Sequence, residues 1–318
     1  MKNYLSRILS LVVFLVVPVM SFAGALSDNN LSIELNSLER DSDDSVTYVY
    51  DNSGTVNDSV DDVSKGSTGS FDDDADTGYL ISGSFELTDK WSINAAIMES
   101  EMSSSDSFSD PNGRLEVFRA SWSESFDAAD RVEASYDSEL SGVDLNAVYR
   151  FSDSVDFMVG VGQMDLEEKF KIYSLDSGSL VRPDGGTYKI RTENDMFGPH
   201  LGVAWNGMFS EKWGGYVVGK VGWYDNDSKQ RQRVDDNNTR VNSESDSGTS
   251  TVTDIRLGVN YHFSSQVVVN AGYQLIQISD VALAESQFYD SDPPGSNDID
   301  SSGEIDWAGF NLGLRISF

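Results

Sequence analysis

Apolar and polar residues alternate with a period of two through much of this chain, the signature of strands with two unlike faces. In the closing stretch "FNLGLRISF", Phe310, Leu312, Leu314, Ile316 and Phe318 share one face, while Asn311, Gly313, Arg315 and Ser317 share the other. The same alternation runs through "LSIELNSLE" and four segment pairs, among them "GYLISGSFEL" with "KWSINAAIM" and "GVDLNAVYRF" with "SVDFMVGVG". The other pairs are "HLGVAWNGMF" with "KWGGYVVGKVGWY" and "DIRLGVNYHF" with "QVVVNAGYQL". Each pair meets at a very short turn, around Thr88-Asp89, Ser152-Asp153, Ser210-Glu211 and Ser264-Ser265, which predicts four tight hairpins. With the first and last segments the count is ten, an even number that brings both termini to one side. In these middle strands the apolar set is odd-numbered: Val143, Leu145, Ala147 and Tyr149 alternate with Asp144, Asn146 and Arg150.

A β-sandwich would alternate in the same way. Aromatic placement separates the two. Trp91, Tyr149, Phe151, Trp205, Trp213, Tyr261, Phe263 and Phe318 all fall near the short turns or the terminus, as in the aromatic girdle at a membrane interface. The prediction is an all-β fold, a transmembrane antiparallel up-and-down β-barrel of ten strands with short periplasmic turns and long acidic outer loops. Those connections are expected over residues 40–77, 101–138, 174–190, 225–251 and 280–304. The first carries eleven aspartates between Asp41 and Asp76 against the single Lys65. Segments so polar cannot order themselves by burying apolar surface, so these loops are expected to be largely mobile. Within the second, "GRLEVFRASW" also alternates, and an extra membrane pair over 113–136 would make twelve strands.

Residues 1–23 read as a signal peptide: Lys2 and Arg7, an apolar run from Ile8 to Met20, then small Ala23, with Ala25 allowing cleavage as late as 25. The run is short and broken by Pro18, whereas a spanning helix needs about 20 apolar residues. Residues 26–318 then form a single barrel domain, with no further domain expected after Phe318. The destination is the outer membrane of a Gram-negative bacterium. The chain has no cysteine, which removes disulfides, thiol chemistry and thiolate metal sites. Its balance of 22 basic and 53 acidic residues, a net charge of −31, excludes nucleic acid as a partner.

The strand pairs, including the "FGPHLG" entry into the sixth strand, resemble the Legionella-type major outer-membrane-protein family of pore-forming barrels. The similar stretches are "GYLISGSFELTDKWSINAA", "GVDLNAVYRFSDSVDFMVGVG", "NDMFGPHLGVAWNGMFSEKWGGYVVGKVGWY" and "DIRLGVNYHFSSQVVVNAGYQ". The resemblance implies a porin or surface protein of the outer membrane. The chain departs from the family in having no cysteine and in its acidic first loop.

Candidate chemistry lies on the inward parity, which collects Glu86, Asp144, Arg150, Asp156, Lys220, Asp254, Arg256 and Arg315. If these charges pair across a narrow ten-stranded lumen, the barrel is a plugged rod; if they segregate, they line a small aqueous path. In "DIDSSGEID", Asp298, Asp300, Ser302 and Asp306 fall at ligand positions of a calcium loop, but Gly309 stands where the bidentate glutamate belongs. No cofactor is expected beyond Ca²⁺ or Mg²⁺ held loosely at acidic loops. No enzyme is expected either: neither His200 nor His262 follows an aspartate two residues earlier, as in the omptin barrel proteases, and both are expected near the periplasmic ends. Function is read as a porin-like passive channel or surface structural protein. The alternatives are a closed barrel acting as an adhesin or receptor, and a barrel hydrolase. Expected partners are outer-membrane lipid and lipopolysaccharide, the outer-membrane assembly machinery reading the terminal Phe318, and small solutes or surface ligands.

Overall fold

The computed structural model describes residues 29–42, 47–51, 63–67, 76–109, 115–117, 129–175, 186–235, 239–288 and 299–318. The expected signal peptide lies outside them. The strands are β1 (Asn30–Ser42), β2 (Thr47–Asp51), β3 (Val63–Ser67), β4 (Asp76–Thr88), β5 (Trp91–Ser109), β6 (Leu115–Val117) and β7 (Arg131–Ser152). They continue as β8 (Val155–Leu175), β9 (Gly186–Met208), β10 (Trp213–Asp235), β11 (Arg240–His262), β12 (Val267–Val281) and β13 (Gly303–Ser317). Ten of them close an antiparallel barrel in the order β1-β13-β12-β11-β10-β9-β8-β7-β5-β4. The seam joins the first and last strands, from Asn30 opposite Ser317 to Ser42 opposite Ile305.

The four short turns share one device, a hydroxyl that accepts backbone N–H groups two or three residues on. Thr88 Oγ1 accepts from Lys90 and Trp91, Ser152 Oγ from Ser154, Ser210 Oγ from Lys212 and Trp213, and Ser264 Oγ from Gln266 and Val267. Aromatic rings gather at this end: Trp91 and Tyr149 pack as a tilted pair with centroids 5.0 Å apart, and Trp213 and Tyr261 at 4.9 Å.

At the opposite end the strands run much further than their composition predicts. Residues 225–251, expected as a loop, are nearly all strand, with β10 ending at Asp235 and β11 starting at Arg240. The same correction applies to 174–190, where β8 reaches Leu175 and β9 begins at Gly186. Polar composition is compatible with a strand when the inward polar groups find partners, as Asn226, Ser228 and Gln232 do. The twelve-strand alternative does not form. β6 leaves the barrel and joins β2 and β3 in a separate three-stranded sheet, and Val49, Leu115 and Val117 of that sheet are buried in the core.

The apolar face exchanges sides partway up the wall, which a single outward parity does not anticipate. On β8, Phe157, Val159 and Val161 are exposed, but beyond them Met164, Leu166, Phe170 and Ile172 are buried inside. β9 does the same between exposed Leu201 and Phe197 and buried Met196, Ile190 and Tyr188, and β13 between exposed Phe310 and buried Trp307. Pairing of β8 with β9 is continuous from Val155 to Ser174, so the backbone does not slip. Below the exchange the barrel is apolar outside, as a lipid-facing belt must be. Above it the barrel is apolar inside, and each fully buried large side chain there contributes roughly 1.5–3 kcal/mol.

Candidate functional site

The lumen is filled at two levels by different chemistry. Within the belt, β7, β10 and β11 bring Asp144, Lys220, Asp254 and Arg256 together. Lys220 Nζ pairs with Asp144 and lies 3.1 Å from Asp254 Oδ2. Arg256 grips the same carboxylate through Nε and Nη2, at 3.1 and 2.6 Å, and Gln274 Nε2 adds a bond of 3.1 Å to Asp254 Oδ1. Beside them His200 is buried within β9 rather than near the short-turn end expected for it, with Nε2 2.6 Å from Asn146 Oδ1 and Nδ1 3.2 Å from the Tyr224 hydroxyl. Gly160 makes room for this ring: a Cβ there would stand 2.6 Å from His200 Nε2. The space left among Asp144, His200, Lys220, Tyr224, Asp254 and Arg256 is about 30 Å³, room for water.

The inward charges do not form one network. Arg150 reaches Glu86 at 3.5 Å near the short-turn end, with Asp156 opposite Arg150 across the β7–β8 ladder. Arg315 makes no ion pair among the described residues and faces Glu34 and Tyr216. Of the proposed calcium loop, Asp298 lies outside the described residues. Ser302 donates through N and Oγ to Asp300 Oδ1, while Asp306 belongs to β13 opposite Asp41.

Above the belt the chain itself enters the lumen. Near the end of β12, at a bulge between Ser279 and Val281, the backbone turns at Asp280, whose φ of 61° is the left-handed conformation that aspartate tolerates. Residues 281–287 are buried inside, bonded to inward side chains of three strands. Asn194 donates to Ala282 O and accepts from Ala282 N, both at 2.9 Å. Glu168 accepts from Ala284 N at 2.9 Å, and Gln232 donates to Gln287 O at 3.1 Å. The same segment carries Glu285 to Arg40, which lies 2.8 Å from it and 3.0 Å from Glu168. Tyr136 and Ser138 donate to Glu168 at 2.7 and 3.0 Å, and Ser42 donates to Glu285.

One buried cation thus serves two buried carboxylates. Burial alone would lower the Arg40 guanidinium, but Glu168, Tyr136 and Glu285 hold it well above its ordinary value. Burial raises the Glu285 carboxyl, and the pull of Arg40 offsets this only in part. Leu140, Leu166, Phe170, Ile172, Ile276, Ile278, Leu283 and Trp307 pack around the group as a continuous apolar core.

Residues 127–296, more than half of the chain, match the family model described as "Putative beta barrel porin-7 (BBP7)". The chain belongs to the BBP7 family. No curated protein matches it by sequence. Among solved structures it is similar to the outer membrane protease OmpT from Escherichia coli, at 12% identity over 93% of this chain and 100% of that one, with a TM-score of 0.49. It is also similar to the Pseudomonas putida toluene transporter TodX, at 10% identity, 93% and 91% coverage and a TM-score of 0.37. The attachment invasion locus protein Ail of Yersinia pestis follows at 9% identity, 91% and 99% coverage and a TM-score of 0.29.

In this BBP7 chain, sequence reasoning found the charges of the lower lumen because they interrupt no apolar run. It missed Arg40, Glu168 and Glu285, which lie outside the expected membrane strands. Their signal was present: Glu168 sits on the parity of Leu166, Phe170 and Ile172, and Glu285 interrupts the apolar run "VALAE". A charge on an apolar parity must be paired or expelled.

Proposed function

We propose that this BBP7 chain is a barrel of the bacterial outer membrane whose lumen is closed at rest, and that it serves as a surface structural protein displaying its outer wall and connections. The apolar core across the outer half carries this reading, because side chains that exclude water leave no route for a hydrated solute. Two observations bear on catalysis: both ring nitrogens of His200 are engaged, and the space beside it admits no peptide. The reading therefore includes no enzymatic step at His200. The resemblance to Legionella-type major outer-membrane proteins is kept as part of this proposal. Lipopolysaccharide around the belt and the assembly machinery at Phe318 are its expected partners.

The polar lower lumen and the family description favour a second reading, a porin gated by segment 281–287. Planar-bilayer recordings of the full barrel separate the two. Silence in wild type and in an Asn194→Ala/Gln232→Ala variant, with the variant still folded, supports the closed barrel. Conductance that appears only in the variant identifies a gated porin, and large steady conductance in wild type overturns the closed reading. A thiol introduced as Ser243→Cys, probed on intact cells against Ser210→Cys, tests which end faces outward.

A further inference from the structure

We propose that the outward wall of β8, β9 and β10 above the apolar belt binds an anionic saccharide, phosphorylated or sulfated. The proposal rests on the reading that this wall faces the cell exterior. Ladder register sets Lys169, Arg191 and Arg231 side by side in one row and Lys171, Lys189 and Arg233 in the next. All six are exposed, and exposed Lys229 stands one row below Arg231. Neighbouring backbone positions in such a grid are about 4.8 Å apart across strands and about 6.7 Å apart along them.

Like charges directly opposite one another weaken a sheet, so two such rows run against folding stability alone. Local acids compensate only some of them. Glu167 takes Lys169 and Arg191 at 2.5 and 2.7 Å, Glu193 takes Arg191 at 2.7 Å, Asp195 takes Lys229 at 2.9 Å, and Asp235 takes Arg233 at 2.8 Å. Lys171, Lys189 and Arg231 have no ion pair among the described residues. Seven of the chain's 22 basic residues lie on this wall, with Asp165, Glu167, Glu193, Asp195, Asp227 and Asp235 on the same face, so the uncompensated cations are Lys171, Lys189 and Arg231.

Position selects the ligand class. A row of Asp165, Asp195 and Asp227 lies between the grid and the belt edge at Phe197, and would repel lipid headgroup phosphates. Arg191 and Lys189 lie six and eight residues beyond Phe197 on β9. That separation is roughly 15–20 Å of height for a strand tilted ~40°. At that distance from the lipid the molecules beside the wall are saccharides. A long polyanion such as nucleic acid would also meet the acidic remainder of the surface, whereas an oligosaccharide covers the grid alone.

The test uses the full barrel in detergent with three probes: a sulfated heparin-type oligosaccharide, the phosphorylated core oligosaccharide released from lipopolysaccharide, and neutral dextran. The expected result is binding of at least one anionic probe that weakens with salt, is lost roughly tenfold or more in Lys171→Gln/Lys189→Gln/Arg231→Gln, and is unchanged in Lys90→Gln/Lys212→Gln. Binding of the core oligosaccharide alone identifies the cell's own surface as the source; binding of the sulfated probe admits free glycans. The triple variant should fold at least as stably as wild type, since it relieves repulsion, so a loss of stability would mark a structural role and count against the proposal. Binding of neither anionic probe, equal binding of dextran, or an unaffected triple variant overturns it. If the grid binds in detergent while Ser243→Cys stays unlabelled on cells, the orientation fails and the site stands.

Discussion

Arg40 is the residue on which the outer core depends most. Arg40→Met leaves Glu168 and Glu285 buried without their cation, and stripping one partner from such a group costs on the order of 3–5 kcal/mol. Thermal unfolding followed by heat-modifiable migration should show a marked loss. Glu285→Gln should be far milder, because Glu168 still pairs with Arg40. The pH dependence follows from the same charges. Burial raises the Glu285 carboxyl above its ordinary 4.5, so its contribution to stability is full below that value and is lost as pH rises through the raised one. Glu285→Gln should flatten that part of the stability profile above pH 4.5. In the lower lumen, Arg256→Ala leaves Asp254 with Lys220, so it should destabilise less than Arg40→Met. The inward charges were legible because parity assigns a face. Their partners were not, because parity says nothing about which strands stand opposite across the lumen.

At the scale of the strand, tolerance to charge should change parity with height. On β8, Val159→Lys puts an ammonium against lipid and should cost roughly 2–4 kcal/mol near the midplane. Farther up the same strand Tyr173 is outward and Ile172 inward, so Ile172→Lys should prevent folding and Tyr173→Lys should not. A lysine scan of β8 read by protease resistance checks this, and a scan sensitive only at odd positions would contradict the exchange of faces. The ten strands were legible from alternation and short turns. Their outer halves were not, because the segment "YDNDSKQRQRVD" lacks apolar residues on either parity until Val234; its inward side chains are held by hydrogen bonds to neighbours that no single strand reveals.

For the whole molecule, closure depends on the final strand. β13 bonds to both β1 and β12, and Phe318 N donates to Asn29 O at 2.9 Å across the seam. Deleting Phe318 should slow assembly, seen as unfolded material that fails to shift its heat-modifiable migration; normal assembly would remove the terminal aromatic from the signal. The long strands have a further consequence. The 23 residues of β10 measure about 76 Å along their own path, or roughly 58 Å of height at a ~40° tilt, of which the hydrocarbon takes about 25 Å. The barrel is thus a rigid pedestal standing roughly 30 Å clear of the lipid. With that end outward, as proposed, antibodies or phage fibres too bulky to penetrate a sugar coat engage its rim while the belt stays out of their reach.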